Sequence, residues 1–346
     1  MRIGDYRESY AHDEAIWPTR VQQTWLVGLV VALLVFPFTA NGYLVSLACI
    51  VGIHCIAAAG LNIMTGYTGL ISLGHAAFMG VGCYTAAWLA RQGMPFFVTL
   101  PAAGLMAAAL GLVVGLPSLR IKGLYLAVAT LATQFLLVYV FREWESVTGG
   151  VRGVNVPNAS VFGFELKNDA RMYFLIVPVA AALLIGGRNL FRTRVGRAFI
   201  AIRDKDISAE VLGIDLLRYK LAAFAIGSFY AGVAGALLGY FYRAMTPEYF
   251  TLQLSIFYLA AIIVGGLGSM LGTIFGAVFM TLMPELLRGG VATISQWAPR
   301  ATEVLSPAQQ VVFGLLIMGF LVFEPHGLLE IWRRVRRSFH LWPFRA

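Results

Sequence analysis

Five histidines, at positions 12, 54, 75, 326 and 340, are the side chains of this 346-residue sequence best suited to move protons or hold a metal near neutral pH. The five show no metal-ligand spacing among themselves. The patterns H-E-x-x-H, C-x-x-C and G-x-S-x-G do not occur. No Gly-Lys dipeptide occurs either, which excludes ATP binding through a P-loop. Cys49, Cys55 and Cys83 fall in apolar runs and read as small buried hydrophobes rather than as a disulfide or metal set. The sequence therefore predicts no catalytic residue, no metal and no cofactor in this chain, and no enzyme activity of its own.

The distribution of carboxylates carries more. No Asp or Glu occurs between Glu14 and Glu143. Ion-coupled carriers and pumps usually place an acidic or histidine relay within the membrane. Here only Glu285 falls near the end of an apolar run, so a proton- or sodium-driven mechanism lacks its parts. His54 reads as hydrogen-bonded within a bundle. His75 reads two ways, as fixing local backbone or as lining a pathway.

Hydrophobic residues make up 59% of the chain and charged residues 12%, against about 25% in soluble domains. The apolar runs are continuous rather than alternating, which excludes a β-barrel and predicts an all-α, polytopic helical bundle. Ten spans are expected, near 24–40, 43–64, 68–90, 96–116, 123–141, 172–187, 219–242, 251–266, 270–287 and 308–323. The membrane domain thus covers 24–323. A polar arm precedes it at 1–23 and an Arg-rich tail follows at 324–346. A loop at 142–171 balances four basic against four acidic residues, and a longer one at 188–218 carries seven basic and four acidic. No cleavable signal peptide is expected. With both termini cytoplasmic, 18 of the 26 Lys and Arg lie on the inner side, in agreement with the positive-inside bias.

Glycine punctuates this pattern. Gly60, Gly66 and Gly69 predict a helix break before the third span, and Gly265-Gly266-Leu267-Gly268-Ser269 a turn before the ninth. Broken backbone is tolerated in a membrane only where protein or a water-filled cavity satisfies it. Thr68, Ser72, Gly74 and His75 at the first break, with Gly268 and Ser269 at the second, are therefore the candidates for a translocation pathway. Helix N-termini at both breaks offer partial positive charge to an anionic group. Small residues recur at spacing four in three spans: Thr68, Ser72, Ala76, Gly80; Gly227, Ala231, Gly235, Gly239, with Ser228, Gly232 and Ala236 beside them; and Gly268, Gly272, Gly276. Such stripes permit close helix contacts. In the 188–218 loop, Ile207, Val211 and Ile214 are expected on one helical face, Gly213 is expected to end that helix, and the pattern suggests docking to a cytoplasmic partner.

Four ordered stretches carry a family resemblance: GLNIMTGYTGLISLGHAAFMGVGCYTAAWLA from Gly60, TGGVRGVNVP from Thr148, GRAFIAIRDKDISAEVLGIDLLRYKLAAF from Gly196 and IIVGGLGSMLGTIFGAVFMTLMPELLR from Ile262. Together they resemble the LivM-like branch of the branched-chain amino-acid ABC-transporter permeases. The resemblance covers about 43–323 and implies a ten-helix importer permease with broken helices, located in the bacterial inner membrane. It implies a second homologous permease subunit, two cytoplasmic ATP-binding subunits and an extracytoplasmic substrate-binding protein as partners, besides membrane lipid. It also implies that Ala209, Glu210 and Gly213 belong to a coupling helix facing the ATPases, with Arg197 and Arg203 nearby. The expected cargo is a branched-chain or related hydrophobic amino acid. Similar permeases are associated with urea, short amides and aromatic acids. An ion-coupled carrier or channel, which predicts transport by the chain alone, and a membrane enzyme or scaffold, which predicts no flux, are the readings from other classes.

Overall fold

A computed structural model describes residues 20–118, 124–161, 164–165, 168–295 and 327–341, with isolated helical positions between 311 and 322. Its helices are α1 (Arg20–Thr39), α2 (Gly42–Asn62), α3 (His75–Arg91), α4 (Phe96–Ser118), α5 (Leu124–Glu143), α6 (Asp169–Leu190), α7 (Arg194–Asp204), α8 (Asp206–Val211), α9 (Leu216–Tyr242), α10 (Leu252–Gly265), α11 (Met270–Ser295) and α12 (Leu328–Leu341). Each of the first nine expected spans overlaps one of them, although the third, expected from 68, is helical only from His75. The tenth lies mostly outside the described residues, as does the arm before Arg20. Among the described residues, six helices are long and apolar enough to cross a membrane, including α2 with its extension to Tyr67, α9 and α11; α1 and α10 are shorter apolar helices.

The bundle is built around α9. Its 27 residues include the whole stripe of Gly227, Ala231, Gly235 and Gly239, all buried. A β-carbon at Gly82 of α3 would strike the Gly232 backbone, and one at Gly235 would strike the Met79 carbonyl. Backbone-to-backbone approach of this kind gives dispersion contacts where lipid offers no hydrophobic drive for helix association. On its other side α9 packs against α2, where Gly60 and Gly227 face each other. The expectation of packing therefore holds for the α9 stripe. Gly272 and Gly276 of α11 likewise pack on Gly265 and Ala261 of α10.

The 142–171 segment is tied to the bundle. A single turn at Glu145–Thr148 leads to β1 (Val154–Asn155). This strand pairs antiparallel with a later one, Ala244–Met245, directly after α9. A second short hairpin joins β2 (Ser160–Val161) and β3 (Phe164–Glu165). The Val154–Met245 pair closes one end of α9, at the end opposite to the α7–α8 loop.

One expected stripe is not a helical stripe. Thr68 and Ser72 stand in the non-helical stretch that precedes α3, so only Ala76 and Gly80 share a helix face. Helix α2 ends by widening into a π-turn at Ile63–Tyr67, and regular helix resumes only at His75. The break is longer than glycine spacing alone suggests. Gly69, at φ +75°, turns the chain where a β-branched or bulky residue would be strained.

Candidate functional site

The break between α2 and α3 and the turn between α10 and α11 meet in space. Asn62 joins them. Its Nδ2 donates to the Ser269 carbonyl (3.0 Å) and to Thr273 Oγ1 (2.6 Å), and its Oδ1 accepts from the Gly268 N–H (3.0 Å). Asn62 is fully buried. A π-turn displaces backbone donors and acceptors from the regular ladder, and the amide at its first turn reaches across to a second irregular segment. Gly66 must lack a side chain, because a β-carbon there would overlap Asn62 Oδ1.

Arg203, at the end of α7, caps this junction. Its Nη1 donates to the Gly66 carbonyl (3.0 Å). Its methylene stem lies over Gly69, and a β-carbon on Gly268 would come within 2.6 Å of Nη1. Its Nε and Nη2 reach Asp204 at 3.0 Å. One guanidinium thus bridges the connecting loop and both helix breaks. Tyr67 adds a second tie, stacking on Phe191 at the α6–α7 junction with ring centroids 3.3 Å apart.

Two N–H groups at the N-terminus of α3 are bonded to side chains of other helices. Ala76 N–H donates to Ser255 Oγ (2.9 Å) and Ala77 N–H to Gln134 Oε1 (2.9 Å). The Gln134 amide is tied on its other side as well, where Nε2 donates to the Phe250 carbonyl at 2.6 Å. The Gly272 N–H meets Ser269 Oγ (3.3 Å) and the Thr273 N–H meets the Ser269 carbonyl (3.0 Å). In the conformation described, bonds within the chain occupy the N–H groups of Ala76, Ala77, Gly272 and Thr273.

The sequence-predicted residues divide accordingly. Thr68 is buried and donates to the Ile63 carbonyl (2.9 Å). Ser72 is buried beside Gly74, whose β-carbon position is blocked by the Thr130 carbonyl. His75 is buried, donates from Nε2 to the Ala57 carbonyl (2.8 Å), and leaves Nδ1 without a partner among the described residues. Its ring meets Tyr258 edge-on at 5.8 Å. His54 bonds Thr281 Oγ1 through Nδ1 (2.9 Å), within the bundle as expected. Gly268 and Ser269 are part-buried at the second turn. Asn62, Thr130, Gln134 and Ser255 escaped sequence reasoning. The available signal was that each is a polar side chain within an apolar run, and a buried polar group in a membrane seeks a partner.

The connecting loop forms two helices. Thr193 caps α7, and Arg197 Nη1 reaches back to the Arg192 carbonyl (3.2 Å). Lys205 breaks the path, and α8 ends at Gly213, at φ +84°, where Gly213 N–H bonds Glu210 O and Ile214 N–H bonds Ala209 O. Gly213 ends the helix as expected, whereas Ile214 follows it and does not share its face. Ala209 is buried, Glu210 exposed. Ile207, Val211 and Leu212 are 69%, 82% and 80% exposed, too much apolar surface for a six-residue helix with no partner.

A bundle of apolar helices with two broken segments clasped by a polar loop defines a multi-pass membrane transport permease. The chain matches the family model described as branched-chain amino acid transport system / permease component over residues 43–321, and it belongs to that family. It is 31% identical to the high-affinity branched-chain amino acid transport system permease protein LivM of Escherichia coli K12, over 90% of this chain and 76% of that protein. It is 30% identical to the LivM protein of Salmonella typhimurium, with the same coverage. The LivH permease of Escherichia coli K12 is 26% identical over 80% of this chain and 91% of that protein. No solved structure matches the chain.

Proposed function

We propose that this chain is one permease subunit of an ATP-driven importer for branched-chain or related hydrophobic amino acids. The observation that carries the reading is the Arg203–Gly66 bond: an arginine of the connecting loop is fastened to the junction of both broken helices. A push on α7 and α8 is thereby transmitted to the irregular backbone where the two helix breaks meet. The exposed Ile207, Val211 and Leu212 supply an apolar contact for an ATP-binding subunit, with Ala209 and Glu210 on the same short helix and Gly213 at its end. Arg197 braces the start of the loop.

In this reading the loop and both termini are cytoplasmic, in a bacterial inner membrane. The partners are a homologous second permease, two ATP-binding subunits and an extracytoplasmic binding protein. The chain itself holds no cofactor and hydrolyses no ATP. Thr68, Ser72, Gly74, His75, Gly268 and Ser269 frame the moving junction. Movement there uncovers the α3 and α11 N-termini, which are covered in the conformation described. Such N–H groups suit a carboxylate, and among the described membrane-length helices acidic groups stand only near helix ends, at Glu143, Asp169 and Glu285, away from both breaks.

The test is reconstitution of the chain with its expected partners and measurement of ATP-dependent leucine uptake, with urea and an aromatic acid as competitors. Uptake abolished by replacing the Walker lysine of the ATP-binding subunits is expected. Uptake driven by an ion gradient through this chain alone would overturn the reading.

A further inference from the structure

We infer that α12 and the flank of α11 form a binding site for an anionic phospholipid, with the acyl chain in an apolar groove and the phosphate held by arginines. Gly327, at φ +75°, seats the start of α12 against the backbone of Val264–Gly266, where α10 and α11 are joined. Helix α12 therefore starts at the end of two apolar helices, at the level where a bilayer meets water.

From there the helix is two-sided. Its sequence, LLEIWRRVRRSFHL, places Leu328, Ile331, Trp332 and Val335 along one stripe and Arg333, Arg334 and Arg336 off it. A fourth arginine, Arg337, follows in the sequence. This composition is that of helices that lie in the bilayer interface. The apolar stripe is not fully covered: Trp332 is 51% exposed, although its ring meets Phe275 at 6.0 Å.

Between the two helices lies a groove of about 420 Å³, lined by apolar side chains that include Phe279, Leu282 and Leu286 of α11 and Ile331, Trp332 and Val335 of α12. Its α11 wall runs from Phe275 to Leu286, about 16 Å of helix at 1.5 Å per residue. That is an apolar slot, one wall of which is the same helix that carries Arg333, Arg334 and Arg336. Arg333 makes only a 3.6 Å ion pair with Glu330, at an exposed position. The surplus of positive charge favours an anionic headgroup over a zwitterionic one.

Native mass spectrometry of the purified full chain tests this without any transport assay. The chain is stripped of lipid, then titrated with phosphatidylglycerol or, separately, phosphatidylcholine. Preferential retention of phosphatidylglycerol is expected. The combined R333Q, R334Q and R336Q variant loses about fivefold in affinity per charge, which corresponds to about 1 kcal/mol for each arginine near an anionic surface. These positions are exposed, so the variant keeps the melting temperature of the parent. Leu282→Trp fills the slot and weakens both lipids with the arginines intact. Equal retention of the two lipids, or unchanged binding by the triple variant, overturns the site. Competition by millimolar inorganic phosphate identifies a free-anion site instead. A lipid-free dimer identifies a second copy as the occupant.

Discussion

Replacing Asn62 by Leu removes three hydrogen bonds that tie the α2 break to the α10–α11 turn. Interhelical hydrogen bonds in membrane proteins average about 0.6 kcal/mol each, so their sum is near 2 kcal/mol. The Gly268 N–H also loses its acceptor, at a cost of about 1 kcal/mol or more. Asn62 is buried, but its bonds to the Ser269 carbonyl and the Gly268 N–H lie at part-buried backbone groups, which lets water recover some of this, and the expected loss is about 2–3 kcal/mol. A double-mutant cycle isolates the pair term. Thr273→Val keeps the shape but removes the acceptor of the Asn62 amide, and Thr273 Oγ1 itself donates to the Ser269 carbonyl at 2.9 Å. The cycle is expected to show a coupling of about 0.6 kcal/mol, up to about 1.7. Denaturant unfolding of the purified chain in micelles, followed by tryptophan fluorescence, reports each stability. Asn62→Asp offers a further control, because it retains an acceptor for Gly268 while losing both donors and burying a charge, so it falls below Asn62→Leu. A zero coupling energy together with an unchanged Asn62→Leu midpoint would refute the idea that this amide fastens the two breaks.

Four other outcomes are expected. Arg203→Met breaks the bond to Gly66 and lowers ATP-driven uptake in the reconstituted importer while ATP hydrolysis continues; strict loss of both in parallel argues against a transmitting role. Ile207→Glu with Val211→Glu leaves the melting temperature of the isolated chain unchanged, within about 0.5 kcal/mol, because both side chains are exposed, but weakens co-purification with the ATP-binding subunits. Gly82→Ala, whose methyl meets the Gly232 backbone, costs about 1–3 kcal/mol, whereas Gly28→Ala, in open space, is neutral or slightly stabilising; similar melting of the two refutes the close crossing of α3 and α9. His75→Gln preserves a donor for the Ala57 carbonyl, and the pH profile of uptake keeps its shape; a profile that flattens on this substitution assigns the ring a protonic role.

The break near Gly66 was legible because glycine disfavours helix and a membrane penalises open backbone without cause. Its length was not. Thr68 and Ser72 fit a helical stripe on paper, and the seven residues from Thr68 to Gly74 leave the helix only because Thr130, Gln134 and Ser255 arrive from other helices to satisfy what the break exposes. Those partners stand far away in the chain, so no local pattern signals them. Arg203 illustrates the same limit. Sequence resemblance associated it with the loop that faces the ATPases, and its fastening to Gly66 depends on how α7 folds back beneath the bundle. Ile214 was misplaced for a simpler reason: Gly213 stops α8 in the left-handed region, and helical periodicity no longer applies beyond it.

Class and topology lay in composition and order. Long apolar runs can satisfy their backbone in a bilayer only as helices, and glycine in such runs marks either close contact or interruption. Those are local rules, read one span at a time. Which glycines serve contact and which serve interruption depended on neighbours. Gly232 and Gly235 lie under α3 because α9 occupies the centre of the bundle, and Gly66 and Gly268 are opposed because two interruptions far apart in sequence end at the same depth, where one amide and one guanidinium bind them together.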